Sequence, residues 1–234
     1  MSQDPVVARL VEKQMRNWEL ARQQRLENNR AARQQQEVAD FVTVSRAIGS
    51  TGAEAARRLA ERLGWPCFDK ELLQHMAGDD RLRTRLYEDM DERDTNWLES
   101  ALRWVLHGEF RQEDYFHRLT ETILALARQG PAIFLGRGVD LILPPERGLR
   151  VRFLAPEEDR VAELARRYQC DEKAARERIE AIEREQADYL RRYFRVAADD
   201  PTRFDLLINL GRMSHADAVE LIVAALKRRG VAVT

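Results

Sequence analysis

FVTVSRAIGSTG at residues 41–52, running into AEAARRLAERLG at 53–64, is the stretch on which the reading of this chain turns. FVTVS is a short β-branched run of the kind that fills a buried strand. Gly49 and Gly52 interrupt it, and the segment after them has helical spacing and stops at Gly64. Strand, glycine loop and helix thus follow one another within 24 residues. Outward from this unit the alternation continues. PCFD at 66–69, PAIFLG at 131–136, LRVRFLA at 149–155 and FDLLINL at 204–210 read as further strands. Helical patterns separate them: DKELLQHMA, the stretches 81–107 and 114–129, EEDRVAELARRY, DEKAARERIEAIEREQADYLRRYF and the closing HADAVELIVAALKRR. Strands near 41–46, 66–69, 131–136, 150–155 and 205–209, each followed by a helix, predict an α/β fold with a five-stranded parallel sheet and helices on both faces.

Residues 5–38 contain no glycine, and their only proline, Pro5, stands where a helix can begin. One long N-terminal helix is expected over 1–40. Val7, Val11, Met15, Trp18 and Ala21 form an apolar stripe at spacings of three and four, whereas 22–36 is almost wholly polar. Only the first half of that helix has a face to pack, and its expected role is a contact with the domain, a second copy or a partner.

Composition narrows the function classes. With 39 Lys and Arg against 40 Asp and Glu, the chain has no bulk basic field to drive nucleic-acid binding. Only Lys13, Lys70, Lys173 and Lys227 are lysines, so the other 35 basic residues are arginines and anion recognition falls to guanidinium. Cys67 and Cys170 lack metal-ligand spacing and no apolar run approaches the length that crosses a bilayer, so a reduced, cytoplasmic setting without membrane association is expected. His75, His107, His117 and His215 show no mutual metal spacing and read as surface or packed side chains.

In a parallel sheet, ligands gather at the strand carboxyl ends, and the loop after the first strand is the usual anion site because helix N-terminal N–H groups point at it. The loop 46–52 has that form without the Walker sequence G-x-x-x-x-G-K-[ST]. Laid on such a unit without gaps, Arg46 falls on the first glycine, Gly52 on the lysine and Ala53 on the metal-binding hydroxyl residue. On these residues alone, a glycine turn with no ligand remains an alternative.

The succession VTVSRAIGSTGAEAARRLAERLGWPCFDKELL, AIFLGRGVDLIL, VRFLAPEEDRVAELARR, ADYLRRYF and FDLLINLGRMSHADAVELI, over about residues 41–229, resembles the cytidylate kinase-like family. The resemblance implies a P-loop nucleoside monophosphate kinase fold over 41–230, with an NMP-binding insertion at about 70–130 and an arginine-bearing LID at about 176–203. It implies ATP-dependent phosphorylation of a nucleoside monophosphate, CMP or dCMP, with Mg²⁺. Its branch carries S-R-x-x-G-S/A-x-G in place of the Walker loop, matched by Ser45, Arg46, Gly49, Ser50 and Gly52, so that Gly49, Ser50, Thr51 and Gly52 form the expected phosphate-binding loop. Gly136-Arg137 matches a G-R pair whose arginine contacts the acceptor monophosphate, while Gly138 replaces the Asp that helps read the base. Asp69 matches the residue closing the second strand near the acceptor, and Lys70 stands where the standard enzyme has Thr. Arg191 falls on the LID arginine, with Arg184, Arg192 and Arg195 beside it. Arg46, helped by Arg191, is the expected substitute for the missing lysine, and Ser50, Thr51 or Glu54 the expected oxygen near the metal. The alternative for the LID arginines is a solvated helix face beside Glu185 and Asp188. Alternatives for the whole chain are a weak or inactive nucleotide-binding protein with a regulatory role, or a kinase for a non-nucleotide small molecule.

Overall fold

The computed structural model describes residues 15–16, 18–20, 38–88, 90, 92–106, 114–144 and 146–233. In chain order these form β1 (Phe41–Arg46), α1 (Gly52–Leu63), β2 (Cys67–Phe68), α2 (Lys70–Gly78), α3 (Asp80–Glu88), α4 (Glu92–Val105), α5 (Asp114–Gln129), β3 (Ala132–Leu135), β4 (Leu149–Leu154), α6 (Glu157–Tyr168), α7 (Glu172–Phe194), β5 (Leu206–Asn209) and α8 (His215–Arg228). Single 3-10 turns lie at Val139–Leu141 and Pro201–Arg203. The five strands form a parallel sheet in the order β2-β3-β1-β4-β5. The expected α/β fold with five parallel strands is therefore present. The expected N-terminal helix lies outside the described residues except at 15–16 and 18–20, which are helical.

The molecule divides into two units, 1–41 with 65–147 and 42–64 with 148–234. In the first, β2 and β3 pair in the register Cys67↔Ile133 and Phe68↔Phe134, and the Phe68 and Phe134 rings stack at 5.4 Å. β2 is short because Asp69 leaves the strand to cap α2, its carboxylate accepting from the Leu72 N–H at 3.0 Å. Helix α5 carries the core, burying Phe116, Leu119, Ile123, Leu124 and Leu126, with Leu72, Leu73 and Met76 of α2 also buried. Met15 and Trp18, two residues of the expected N-terminal stripe, are buried in this unit, and Glu19 pairs with Arg85 at 2.8 Å. The continuous helical pattern of 81–107 resolves into α3 and α4, which end at Glu88 and begin at Glu92.

In the second unit β1, β4 and β5 pair in parallel, with Arg46 opposite Phe153 and Phe153 opposite Ile208. Strand β4 alternates buried and half-buried positions. Val161 and Leu164 of α6 and Ala175 and Ile179 of α7 form a satellite cluster against which Ile48 packs. Asp171 caps α7 and Ser214 caps α8 through side-chain acceptors, at 2.7 Å and 3.1 Å. No side chain caps α1, whose first turn follows the glycine loop directly.

Candidate functional site

Loop 46–52 leaves the carboxyl end of β1 and delivers the chain to α1. Its glycines are dictated by close neighbours. A Cβ on Gly49, whose φ is +84°, would lie 2.5 Å from the carbonyl oxygen of Arg160. A Cβ on Gly52 would lie 2.9 Å from Cβ of Phe153 and 3.1 Å from Cβ of Arg46. The position that a Walker unit gives to lysine therefore has no room for a side chain here. Ser50 is 2% exposed and its Oγ has no hydrogen-bond partner, an unmet polar group in a loop that opens onto an uncapped helix. Thr51 has a φ of +57°, uncommon for a β-branched residue, and its Oγ1 donates to the Ser50 carbonyl at 2.6 Å.

Two side chains outside the expected set touch this loop. His215, taken there for a packed or surface residue, places Nε2 2.8 Å from Oγ1 of Thr51. Arg160 of α6 donates to the Ile48 carbonyl at 3.3 Å and to Glu183 of α7 at 2.6 Å, tying the loop to the long helix. Neither had a signal in its own neighbourhood of sequence. Arg160 lies 112 residues from Ile48 and His215 lies 164 from Thr51, so only the fold brings them together.

Each of the other expected residues has a definite place. Arg46 is the half-buried last residue of β1, beside the loop. Arg184, Arg191 and Arg192 are exposed on the second half of α7; Arg191 lies 3.5 Å from Asp188, and Arg192 sits over the Tyr193 ring at 5.4 Å. Of the three oxygens considered for a metal, Glu54 is engaged with Arg57 and Arg58 and Thr51 with His215, which leaves the Ser50 hydroxyl. Among the described residues no group of three His, Cys, Asp or Glu could hold a metal ion.

The first unit carries the expected acceptor residues. Asp69 and Arg137 follow the carboxyl ends of the paired strands β2 and β3, while Lys70, the first residue of α2, is exposed. Gly136, Arg137 and Gly138 have φ of +79°, +58° and +65°, three consecutive left-handed residues that turn the chain sharply off β3. An arginine held in this conformation is a strained residue of the kind found at ligand clamps. Deeper in the unit, Arg83 and Glu121 pair at 2.5 Å, and the Tyr87 hydroxyl beside them is pushed up to about 12 by burial first and by Glu121 second.

A model of the cytidylate kinase-like family matches residues 41–212. No curated protein matches the chain by sequence. Among solved structures, a protein from Eubacterium ventriosum ATCC 27560 is similar with a TM-score of 0.66 at 19% identity, over 83% of this chain and all of that one. A shikimate kinase from Acinetobacter baumannii in complex with shikimate matches at 16% identity and a TM-score of 0.43, over 84% of this chain and 97% of its own. A dephospho-CoA kinase from Campylobacter jejuni matches at 14% identity and a TM-score of 0.38, over 81% and 97%.

Proposed function

The chain belongs to the cytidylate kinase-like family, and from that premise we propose that it transfers the γ-phosphoryl group of ATP to a nucleoside monophosphate, with CMP or dCMP the leading acceptor. The observation that carries this is the loop 46–52: two glycines with no space for a Cβ, a buried Ser50 hydroxyl without a partner, and the uncapped start of α1. These residues fit a phosphate chain, because backbone N–H groups and the end of the helix dipole supply positive potential where backbone must approach closely. Mg²⁺, when bound with the nucleotide, neutralises the phosphates, and Ser50 is the protein oxygen left to meet it or a phosphate oxygen.

In this proposal the protein's work is positioning and charge. The backbone of Gly49 to Gly52 binds the donor phosphates and Arg46 lies beside the transferring group. Arg137, with Asp69 and Lys70, holds the acceptor monophosphate. Residues 70–130 serve as the acceptor-binding insertion. Arg191, Arg184 and Arg192, within a LID over 176–203, close on the phosphates and exclude water. The parse into an N-terminal extension, 1–40, and a catalytic domain, 41–230, belongs to the same proposal. So does a cytoplasmic setting: no helix among the described residues is long and apolar enough to cross a membrane, and Cys67 and Cys170 are not joined in a disulfide.

A second reading, a nucleotide-binding protein with little or no turnover, is favoured by one observation, the closed space at Gly52 where the lysine would stand. A thermal-shift screen of nucleotides on the full chain, followed by a coupled phosphotransfer assay with Mg-ATP and each common monophosphate, separates the two. Transfer to CMP or dCMP supports the kinase. Binding without transfer to any monophosphate supports the second reading, and transfer only to a non-nucleotide acceptor moves the substrate class.

A further inference from the structure

We infer that His215 is a positioning residue of the phosphate loop, holding Thr51 and through it the orientation of the Ser50–Thr51 peptide. This rests on the phosphate-binding reading of loop 46–52. Oγ1 of Thr51 lies 2.6 Å from the Ser50 carbonyl oxygen and 2.8 Å from Nε2 of His215. A hydroxyl has one hydrogen, and the carbonyl can only accept, so that hydrogen is spent on Ser50. Nε2 must then carry a proton and donate to Oγ1. The result is a directed chain: His215 ring N–H to Thr51 hydroxyl, Thr51 hydroxyl to Ser50 carbonyl.

The peptide plane converts this chain into a function. In a trans peptide the C=O and the following N–H point in opposite directions, so fixing the Ser50 carbonyl fixes the Thr51 N–H on the other side. That N–H is one of the group expected to face the donor phosphates. Thr51 also sits at a φ of +57°, where a β-branched residue does not stay without support. His215 is itself held firmly: it is half-buried at the first position of α8, directly after the Ser214 cap whose hydroxyl donates to Asp217 at 2.7 Å. A second tie between α8 and α1, Glu220 to Arg62 at 2.8 Å, keeps the two helices in place.

The experiment uses the full chain, with Mg-ATP and, separately, inorganic tripolyphosphate as probes in calorimetric titrations. His215→Leu removes the chain's first donor and Thr51→Val its middle hydroxyl, while His215→Gln keeps an N–H at similar reach. The inference expects both disruptive variants to bind each probe at least tenfold more weakly and His215→Gln to stay within threefold of the wild type. It also expects the ring ¹⁵N spectrum of the wild type to show a proton on Nε2 of His215. Wild-type affinity in His215→Leu, failure of the Gln variant to restore binding, or a neutral ring protonated on Nδ1 overturns it while leaving phosphate binding intact. A wild-type protein that binds neither probe overturns the phosphate-binding reading and this inference together. Should His215→Leu fail to fold, Thr51→Val makes the same comparison.

Discussion

At the scale of single residues, the proposed function has the loop replace one positive side chain with several smaller contributions. Arg46 ends β1 beside the loop, and a guanidinium there substitutes for lysine only if it acts on the transferring phosphate. Arg46→Ala is therefore expected to lower turnover with Mg-ATP by at least about a hundredfold, about 2.7 kcal/mol, with a smaller loss in ATP affinity. Equal losses in both would assign it to ground-state binding. In the proposed function Arg137, strained between two left-handed glycines after β3, answers to a different ligand. Arg137→Ala is expected to weaken monophosphate binding by about 1.5–3 kcal/mol while ATP binding stays nearly intact, which titration calorimetry with each nucleotide alone would measure. Loss of both would make it an arginine of the framework.

At the scale of elements, the sequence was legible wherever a signal is local. FVTVS, PAIFLG and LRVRFLA carry the β-branched and apolar runs of strands, and each lies within a residue or two of its observed bounds. PCFD shrank to Cys67–Phe68 because Asp69 has two local options and takes the cap. The candidate site was half legible. Its glycines announced a close backbone approach, whereas His215 and Arg160 depend on α8 and α6 meeting a loop more than a hundred residues away. The network joining α3 to α5 was equally hidden, since Arg83, Tyr87 and Glu121 come from two helices. It makes a pH prediction. Folding raises the Tyr87 pKa above its ordinary 10 to about 12, so the neutral phenol is favoured in the folded state. The stability this gives is complete below pH 10 and is lost as pH rises through 12. Absorbance titration at alkaline pH should show a step near pH 12 from Tyr87, and Tyr87→Phe should remove that step; an unchanged titration in the variant would assign the late ionisation elsewhere.

At the scale of the whole molecule, the chain is nearly neutral, so it has no bulk field that draws anions and any anion site has to be local. The segment before the first strand is expected to serve stability rather than nucleotide chemistry. Trp18 is 4% exposed, Met15 is 9% exposed, and Glu19 reaches Arg85, all within the first unit. Deleting residues 1–38 is expected to cost several kcal/mol of stability, on the order of the 3–5 kcal/mol lost with a buried tryptophan. ATP affinity in the second unit is expected to remain within a few-fold at temperatures where the truncated protein stays folded. Denaturant melts and nucleotide titrations on the two lengths would check both, and a tenfold loss of affinity in a folded truncation would contradict the separation. The tight seat of Gly52 against Phe153 also limits what can be engineered at this loop. A lysine is not installed there by one substitution, because its Cβ already collides with the neighbouring strand. Shrinking the aromatic at 153 would not make room, because the 2.9 Å approach is to its Cβ, which every residue but glycine carries, and Cβ of Arg46 lies at 3.1 Å on the other strand. Position 52 is closed by the paths of two strands rather than by one removable side chain, so positive charge for an anion at this loop has to be delivered by side chains rooted elsewhere in the fold.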